Sequence, residues 1–266
     1  MKVHSGDADI YYDVLGDGPD LVLLHAFPTN HNLWRPVAER FAVRYRVVLM
    51  DLRGHGDSGV GDGPATMEKH AADVARVCDD ASVGKAIFGG VSIGGYVLME
   101  FWRRCRERVA ALVLADTKAQ ADTEEGRAAR LKSAEDVERN GPDAFLDGLL
   151  PRAVGETTRR ARPDLFEATR EMARKMTVAG IAAVQRGMAA RPDSVPTLAT
   201  ITVPTLLLFG AEDGLTTVAD GELMCDHIRG SRLEVIPKAG HFAVFEQQDS
   251  AHELIRKFLD SHRTDG

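Results

Sequence analysis

The sequence has few cysteines, no long apolar run and no excess of basic residues. Its three cysteines, at positions 78, 105 and 225, are odd in number and widely spaced, so we expect reduced thiols and a cytoplasmic protein. No apolar run approaches the length of a membrane span, and residues 1–7 lack the apolar segment of a signal peptide. The net charge of −7 argues against nucleic acid or an anionic membrane as a partner.

Motifs of metal and nucleotide chemistry are also missing. His252-Glu253 lacks the second histidine of a zinc-protease motif, and Cys225 and His227 cannot share one face of a helix. There is no G-x-G-x-x-G and no glycine-rich loop that ends in lysine. We therefore expect neither a metal nor a cofactor. With 266 residues, of which 44% are hydrophobic and 27% charged, the chain can bury one large core.

The most informative stretch is residues 86–96, AIFGGVSIGGY. An apolar strand runs directly into a G-x-S-x-G motif at 90–94, and apolar residues at helical spacing follow it. Such a strand-to-helix corner strains its central residue and holds the Ser92 hydroxyl above the sheet. At the positive end of the helix dipole, the backbone N–H of Ile93 can stabilise an oxyanion. The stretch therefore predicts Ser92 as a nucleophile, in preference to an ordinary Ser-Gly turn.

Strands and helices alternate along most of the chain. Besides 86–88, the sequence predicts strands at 8–15, 21–24, 47–49, 110–114, 203–209 and 233–236. Helical patterns fall at 34–41, at 71–81, after Ser92, before residue 228 and at the carboxyl end. This alternation predicts an α/β fold with a mostly parallel sheet.

The alternation stops between residues 117 and 196. Helical patterns there cover 124–139, 157–176 and 178–189, with breaks at Gly141-Pro142 and Arg162-Pro163. We interpret this stretch as a helical cap, which divides the chain into core residues 1–116, cap residues 117–196 and core residues 197–266. A set of helices on one face of the sheet is the alternative. If it is a cap, its apolar residues Leu146, Leu149, Leu150, Phe166 and Met176 are candidates to line a pocket, although most helical Leu and Met residues form packing cores.

Taken together, the motifs resemble the α/β-hydrolase fold superfamily, in its serine branch. They are GVSIGG at the elbow, HAFP at 25–28, DLRGHGDS at 51–58, FGAEDG at 209–214 and AGHF at 239–242. The superfamily orders its triad as nucleophile, acid and base. The resemblance therefore implies Ser92, Asp213 and His241 as the catalytic residues, with the backbone N–H of Phe27 as a second oxyanion donor.

Alternatives exist for two of these positions. Asp116 ends an earlier strand and is the second candidate for the acid, and Glu212 is adjacent to Asp213. His25 and His55 also lie after strands and compete with His241, although they resemble positions that shape the oxyanion loop. A serine hydroxyl needs an imidazole to take its proton, so one of these histidines must reach Ser92.

The resemblance implies hydrolysis of a small carboxylic ester or lactone, closest to 3-oxoadipate enol-lactonases and small carboxylesterases. A serine nucleophile excludes the relatives that depend on aspartate. The expected partner is a small-molecule substrate, and the protein is expected to be a monomer or homodimer. Two other functions use the same fold: a ligand-binding or regulatory protein with little turnover, and an acyltransferase or perhydrolase.

Overall fold

In the computed structural model, which describes residues 1–262, eight strands form one sheet in the order β1-β2-β4-β3-β5-β6-β7-β8. β1 and β2 are antiparallel, β2 is antiparallel to β4, and all other neighbours are parallel. The strands are β1 (Lys2–Ser5), β2 (Ala8–Leu15), β3 (Asp20–Leu24), β4 (Arg46–Met50), β5 (Ala86–Val91), β6 (Val109–Ala115), β7 (Thr205–Gly210) and β8 (Arg232–Ile236). The predicted α/β class with a mostly parallel sheet is confirmed.

Helices cover both faces of this sheet, because the central strands are apolar on both sides. In β3, Leu21 and Leu23 contact one apolar cluster, and Val22 and Leu24 contact the other. Residues in a strand alternate between faces, so two separate cores are buried. The helices are α1 (Arg35–Phe41), α2 (Met67–Asp80), α3 (Ile93–Cys105), α4 (Glu124–Asn140), α5 (Asp143–Ala153), α6 (Glu156–Ala161), α7 (Pro163–Arg174), α8 (Val178–Ala189), α9 (Val195–Leu198), α10 (Val218–His227), α11 (Ala243–Glu246) and α12 (Gln248–Ser261).

The elements that escape the sequence prediction include β1 and α5. β1 is a short, partly polar edge strand whose Val3 pairs with Ile10 of β2. α5 contains Gly148 and Pro151, residues of low helix propensity, yet it forms a helix because Leu146 and Leu150 are buried in the core. Tertiary packing thus outweighs local propensity in α5.

Helices α4 to α9 lie between β6 and β7, and α4 packs against α8. The predicted break at Arg162-Pro163 separates α6 from α7, where Pro163 occupies the first turn of the second helix. The division into core and cap at residues 116 and 196 stays a prediction.

None of the helices within residues 1–262 has the length and apolarity that a bilayer span requires. The cytoplasmic location and the state of association stay predictions from the sequence.

Candidate active site

Ser92 occupies a sharp corner between β5, which ends at Val91, and α3, which begins at Ile93. Its backbone has φ 54° and ψ −113°, a combination that residues other than glycine rarely adopt and that stores strain. The flanking glycines make the corner possible. A Cβ atom on Gly90 would lie 2.5 Å from the carbonyl carbon of Gly94, and one on Gly94 would lie 2.6 Å from the Leu24 oxygen. The G-x-S-x-G spacing is therefore a steric requirement of this turn.

Hydrogen bonds to the end of β6 hold this corner in place. The N–H of Ser92 donates to the Ala115 carbonyl at 2.9 Å, and the Thr117 hydroxyl donates to the Ser92 carbonyl at 2.8 Å. The side chain points into a cavity, so Ser92 keeps 8% of its surface exposed. The serine is thus fixed by its backbone while its hydroxyl stays accessible.

The structure pairs His241 with Asp213. Nδ1 of His241 lies 2.8 Å from Oδ2 of Asp213. The carboxylate also accepts the N–H groups of Leu215 and Thr216, at 2.7 and 3.1 Å, and the Thr216 hydroxyl at 2.6 Å. Burial works to raise the pKa of Asp213, but the His241 imidazole and these donors outweigh it and hold the pKa below its usual value. An ionised carboxylate on Nδ1 assigns that proton to Nδ1 and leaves Nε2 as a base.

The loop that carries His241 is held on both sides by Glu246. This buried carboxylate accepts three backbone N–H bonds, from Gly155 at 3.0 Å, Gly240 at 3.0 Å and Phe242 at 3.2 Å. The residues directly before and after His241 are therefore fixed, and the same carboxylate fixes Gly155 at the start of α6. Glu246 thus fixes the position of His241 without touching it, and this arrangement is not apparent from the sequence.

The two alternative acids have other partners. Asp116 is fully buried and accepts the N–H of Gly210 at 2.7 Å and that of Ala243 at 3.1 Å. Burial, with the nearby charge of Asp213, raises its pKa well above the usual value. Glu212 accepts the N–H and the hydroxyl of Thr157. Within the described part of the chain, Asp213 is the carboxylate that the structure brings to His241.

Ser92 and His241 open into one cavity of about 170 Å³. It lies at the edge of the sheet where β5, β6 and β7 end, the usual ligand site of open α/β folds. Its walls are formed by Phe27, Ser92, Tyr96, Lys118, Arg130, Phe145, Leu149, Gln185, Met188, Leu215, Thr216 and His241. Of the five apolar residues proposed from the sequence, Leu149 lines this cavity. Leu146, Leu150 and Met176 are buried in the core, and Phe166 is partly buried against it.

Both predicted oxyanion donors lie at this site. Phe27 follows β3 and lines the cavity, and Ile93 directly follows Ser92 at the start of α3. Within residues 1–262, neither backbone N–H donates to a protein acceptor. Both amides are thus available to a substrate oxygen. Among the same residues, no three His, Cys, Asp or Glu side chains are placed to hold a metal ion.

Comparison with known proteins places this geometry in a family. The sequence matches the family described as alpha/beta hydrolase fold over residues 19–248. The chain belongs to the α/β-hydrolase fold family. 3-Oxoadipate enol-lactonase 1 of Acinetobacter baylyi is 31% identical over 245 residues, which make up 92% of this chain and 90% of that protein. The family and fold predicted from the sequence are therefore confirmed.

Solved structures agree with this assignment. A thermophilic esterase from Thermogutta terrifontis, solved with malate bound, superposes with a TM-score of 0.95 at 36% identity and covers 98% of both chains. The enol-lactonase from Burkholderia xenovorans has a TM-score of 0.91 at 26% identity, over 98% of this chain and all of that one.

In this α/β hydrolase, His25 and His55 are structural. The ring of His25 is fully buried, with Nδ1 2.9 Å from the Ala26 carbonyl and Nε2 accepting the Leu52 N–H at 2.9 Å. The ring of His55 packs edge-on against it at 4.8 Å. Burial lowers the pKa of His25 to about 4, so the ring is neutral at neutral pH. Both rings lie beside the loop that carries Phe27, as the family resemblance implied, and the ring of His55 packs edge-on against that of Phe27.

The buried histidines predict acid sensitivity of this hydrolase. Burial lowers the pKa of His70 to about 3 and that of His55 well below its usual value. A histidine in the unfolded chain has a pKa of about 6.5. Below that pH the unfolded chain therefore binds protons that the buried histidines of the folded chain do not bind. These histidines should therefore not reduce the free energy of unfolding above that pH. Below it, the free energy of unfolding should fall towards pH 4 by about 1.4 kcal/mol per pH unit for each histidine. Urea unfolding at pH 7, 6 and 5 measures this.

His70 offers a specific check, because neither of its ring nitrogens has a hydrogen-bond partner in the described chain. His70→Leu should therefore reduce the slope of stability against pH. Equal slopes for wild type and His70→Leu would contradict the assignment.

Two adjacent leucines on α5 test the wall of the cavity. Leu149 lines it, and Leu150 is 1% exposed and packs in the core. Leu149→Ala should raise kcat/KM for esters of longer acyl groups relative to shorter ones. Each methylene should change this preference by about 1–3 kcal/mol. Leu150→Ala should instead cost about 2–5 kcal/mol of stability and keep that ranking. The measurement is kcat/KM over a series of ester chain lengths, beside urea unfolding. The wall assignment is wrong if Leu149→Ala leaves the ranking of the series untouched.

Proposed function

We propose that this α/β hydrolase cleaves a small carboxylic ester or lactone through an acyl-enzyme on Ser92, with His241 as base and Asp213 as acid. The observation that carries the proposal is the 2.8 Å contact between Nδ1 of His241 and Oδ2 of Asp213, because His241 lines the same cavity as Ser92 at the strained elbow. The elbow conformation is costly, and strain of this kind persists where a function depends on it.

The reaction follows from these positions. Nε2 of His241 takes the hydroxyl proton as Ser92 Oγ attacks the carbonyl carbon, and the Asp213 carboxylate stabilises the imidazolium that forms. The N–H groups of Phe27 and Ile93 bind the oxyanion. The imidazolium then returns the proton to the departing alkoxide, which leaves an ester on Ser92. Water, activated by the same histidine, hydrolyses that ester and restores the hydroxyl. With a lactone, the leaving alcohol stays attached to the acyl group.

The related proteins support ester bonds as the target, since they are named as an enol-lactonase and an esterase. The cavity supports a cap role for the helices between β6 and β7. Arg130 from α4, Leu149 from α5 and Met188 from α8 all line the space above Ser92. On this proposal the triad performs the chemistry and the cap selects the substrate.

A burst experiment tests the acyl-enzyme. p-Nitrophenyl acetate should release about one equivalent of p-nitrophenol per protein before the steady state. Mass spectrometry of the quenched protein should then find one acetyl group, on the peptide that contains Ser92. A protein that gives neither burst nor turnover would contradict the proposal and favour a ligand-binding role. Added alcohol or peroxide that diverts the acetyl group from water would favour an acyltransferase or perhydrolase.

A further inference from the structure

The cavity above Ser92 carries positive charge at its wall. Its charged lining residues within the described chain are Lys118 and Arg130, and the lining includes no carboxylate. Neither side chain is needed for attack, proton transfer or oxyanion binding in the mechanism above. Removing charged groups from water is costly unless they are paired, so two cations at the wall of a small cavity require an explanation.

Arg130 is held in a fixed position. Its Nε donates to Asp122 at 2.5 Å, and Nη1 lies 3.3 Å from the Gln185 oxygen and 3.4 Å from the Met188 sulfur. Within residues 1–262, its Nη2 group donates to no protein acceptor. A guanidinium oriented in this way has two N–H donors left for a ligand.

Lys118 adds a second donor group to the same cavity. Its side chain is 26% exposed, and its ammonium lies 3.9 Å from Asp122, too far for a hydrogen bond. Burial and the Arg191 guanidinium lower its pKa. A half-buried ammonium without a hydrogen bond in the described chain would be stabilised by an anion.

The carboxylates around this wall do not balance its cations. Asp122 is shared by Arg130 and Arg191, whose guanidinium lies 2.8 Å away. Asp220 is the other carboxylate that acts on Lys118, and it is engaged at the start of α10 by Thr217. Three cations thus face two carboxylates. One positive charge is left over, beside a cavity that also contains the nucleophile.

We propose that Arg130 and Lys118 bind a carboxylate on the substrate, so that the enzyme prefers esters or lactones that carry a free carboxylate. The inference rests on the proposed function and adds the charge of the substrate to it. The Nη2 group of Arg130 and the ammonium of Lys118 donate charge-assisted hydrogen bonds to the carboxylate. The ester carbonyl then lies against Ser92, and the length between carboxylate and carbonyl becomes a second determinant of specificity.

Matched substrates measure this preference. Monomethyl succinate, glutarate and adipate can be compared with the methyl esters of the corresponding monoamides, in which a carboxamide of similar shape replaces the carboxylate. Methanol release gives kcat/KM for each. We expect kcat/KM for the best monomethyl ester (half-ester) to exceed that of its monoamide counterpart (amide) by tenfold or more. Added salt should reduce that ratio. Because both substrates use the same triad, the ratio cancels any loss of folded enzyme.

Variants assign the preference to the two residues. Arg130→Gln and Lys118→Gln should each lower the ratio about tenfold, and Arg130→Lys should retain part of it. Arg127→Gln is the matched control, because Arg127 is exposed on the same helix and outside the cavity. A ratio near one in the wild type, or equal ratios in Arg130→Gln and Arg127→Gln, would overturn the carboxylate site while leaving ester hydrolysis intact.

Binding gives a readout that does not depend on turnover. In Ser92→Ala protein, calorimetry should find tighter binding of the half-ester than of the amide, and the difference should vanish with Arg130→Gln. If no ester were turned over but this difference persisted, the carboxylate site would stand and the hydrolase proposal would fail. Equal binding of half-ester and amide would overturn the site whatever the turnover.

Discussion

Ser92→Ala is expected to lower kcat by a factor on the order of 10⁶, by analogy with the serine proteases in which the nucleophile has been removed. Without the hydroxyl no acyl-enzyme forms, and what remains is attack by water beside His241 and the two oxyanion N–H groups. The alanine keeps the Cβ atom of the serine, so the strain at φ 54° is the same in both proteins. We therefore expect an unchanged fold and urea midpoint, with kcat followed on p-nitrophenyl acetate.

Ser58 is the matched control for this substitution. It follows a strand but lies outside any elbow, and its hydroxyl donates to the Asp51 carbonyl at 2.7 Å and accepts the Tyr11 N–H at 2.9 Å. Ser58→Ala should therefore lower stability and keep kcat. A fluorophosphonate probe should label the wild type at Ser92 and nowhere else. Labelling at another residue, or wild-type kcat in Ser92→Ala, would remove the nucleophile assignment.

The elbow is predictable from the sequence because its cause is local. A strand that becomes a helix within one residue forces backbone segments around the corner into close contact. In this chain, a Cβ atom at position 90 or 94 would clash with neighbouring backbone atoms. The glycines that satisfy this condition stand in the sequence beside Ser92. The apolar strands are predictable for a similar reason, because a strand buried on both faces needs consecutive apolar residues.

The wall of the cavity is not predictable in this way. Arg130 and Lys118 belong to stretches rich in charge, where solvent exposure is the usual interpretation of a charged side chain. The place of Arg130 beside Ser92 depends on how α4 packs against α8, a contact between residues distant in the chain. The choice between Asp116 and Asp213 is also non-local. Both follow strands, and what distinguishes them is which donors the folded loops bring to each carboxylate.

Asp213→Asn is the second large effect that we expect, a loss of about 10⁴ in kcat, as in a well-studied protease. The amide keeps the shape but removes the charge that stabilises the imidazolium. Its NH₂ group can also donate to Nδ1, which moves the ring proton to Nε2, where the base is needed. The bonds from Leu215 and Thr216 can persist through the amide oxygen, so the loop should keep its fold. Steady-state kinetics beside a melting curve separate the lost activity from lost structure.

Asp116→Asn is the control that decides between the two carboxylates. Both Asp116 oxygens accept backbone N–H groups, one from Gly210 at the end of β7 and one from Ala243 at the start of α11. Asparagine offers one acceptor oxygen, so its NH₂ would face one of these donors and leave it unsatisfied, at about 1–3 kcal/mol. The variant should melt earlier while its folded fraction keeps most of its kcat. Because both oxygens of Asp116 already accept backbone N–H groups, Asp116 cannot replace Asp213 as the partner of His241. The double variant should therefore have the same kcat per folded molecule as Asp213→Asn. A severe loss of kcat in Asp116→Asn, with a small loss in Asp213→Asn, would instead make Asp116 the catalytic acid.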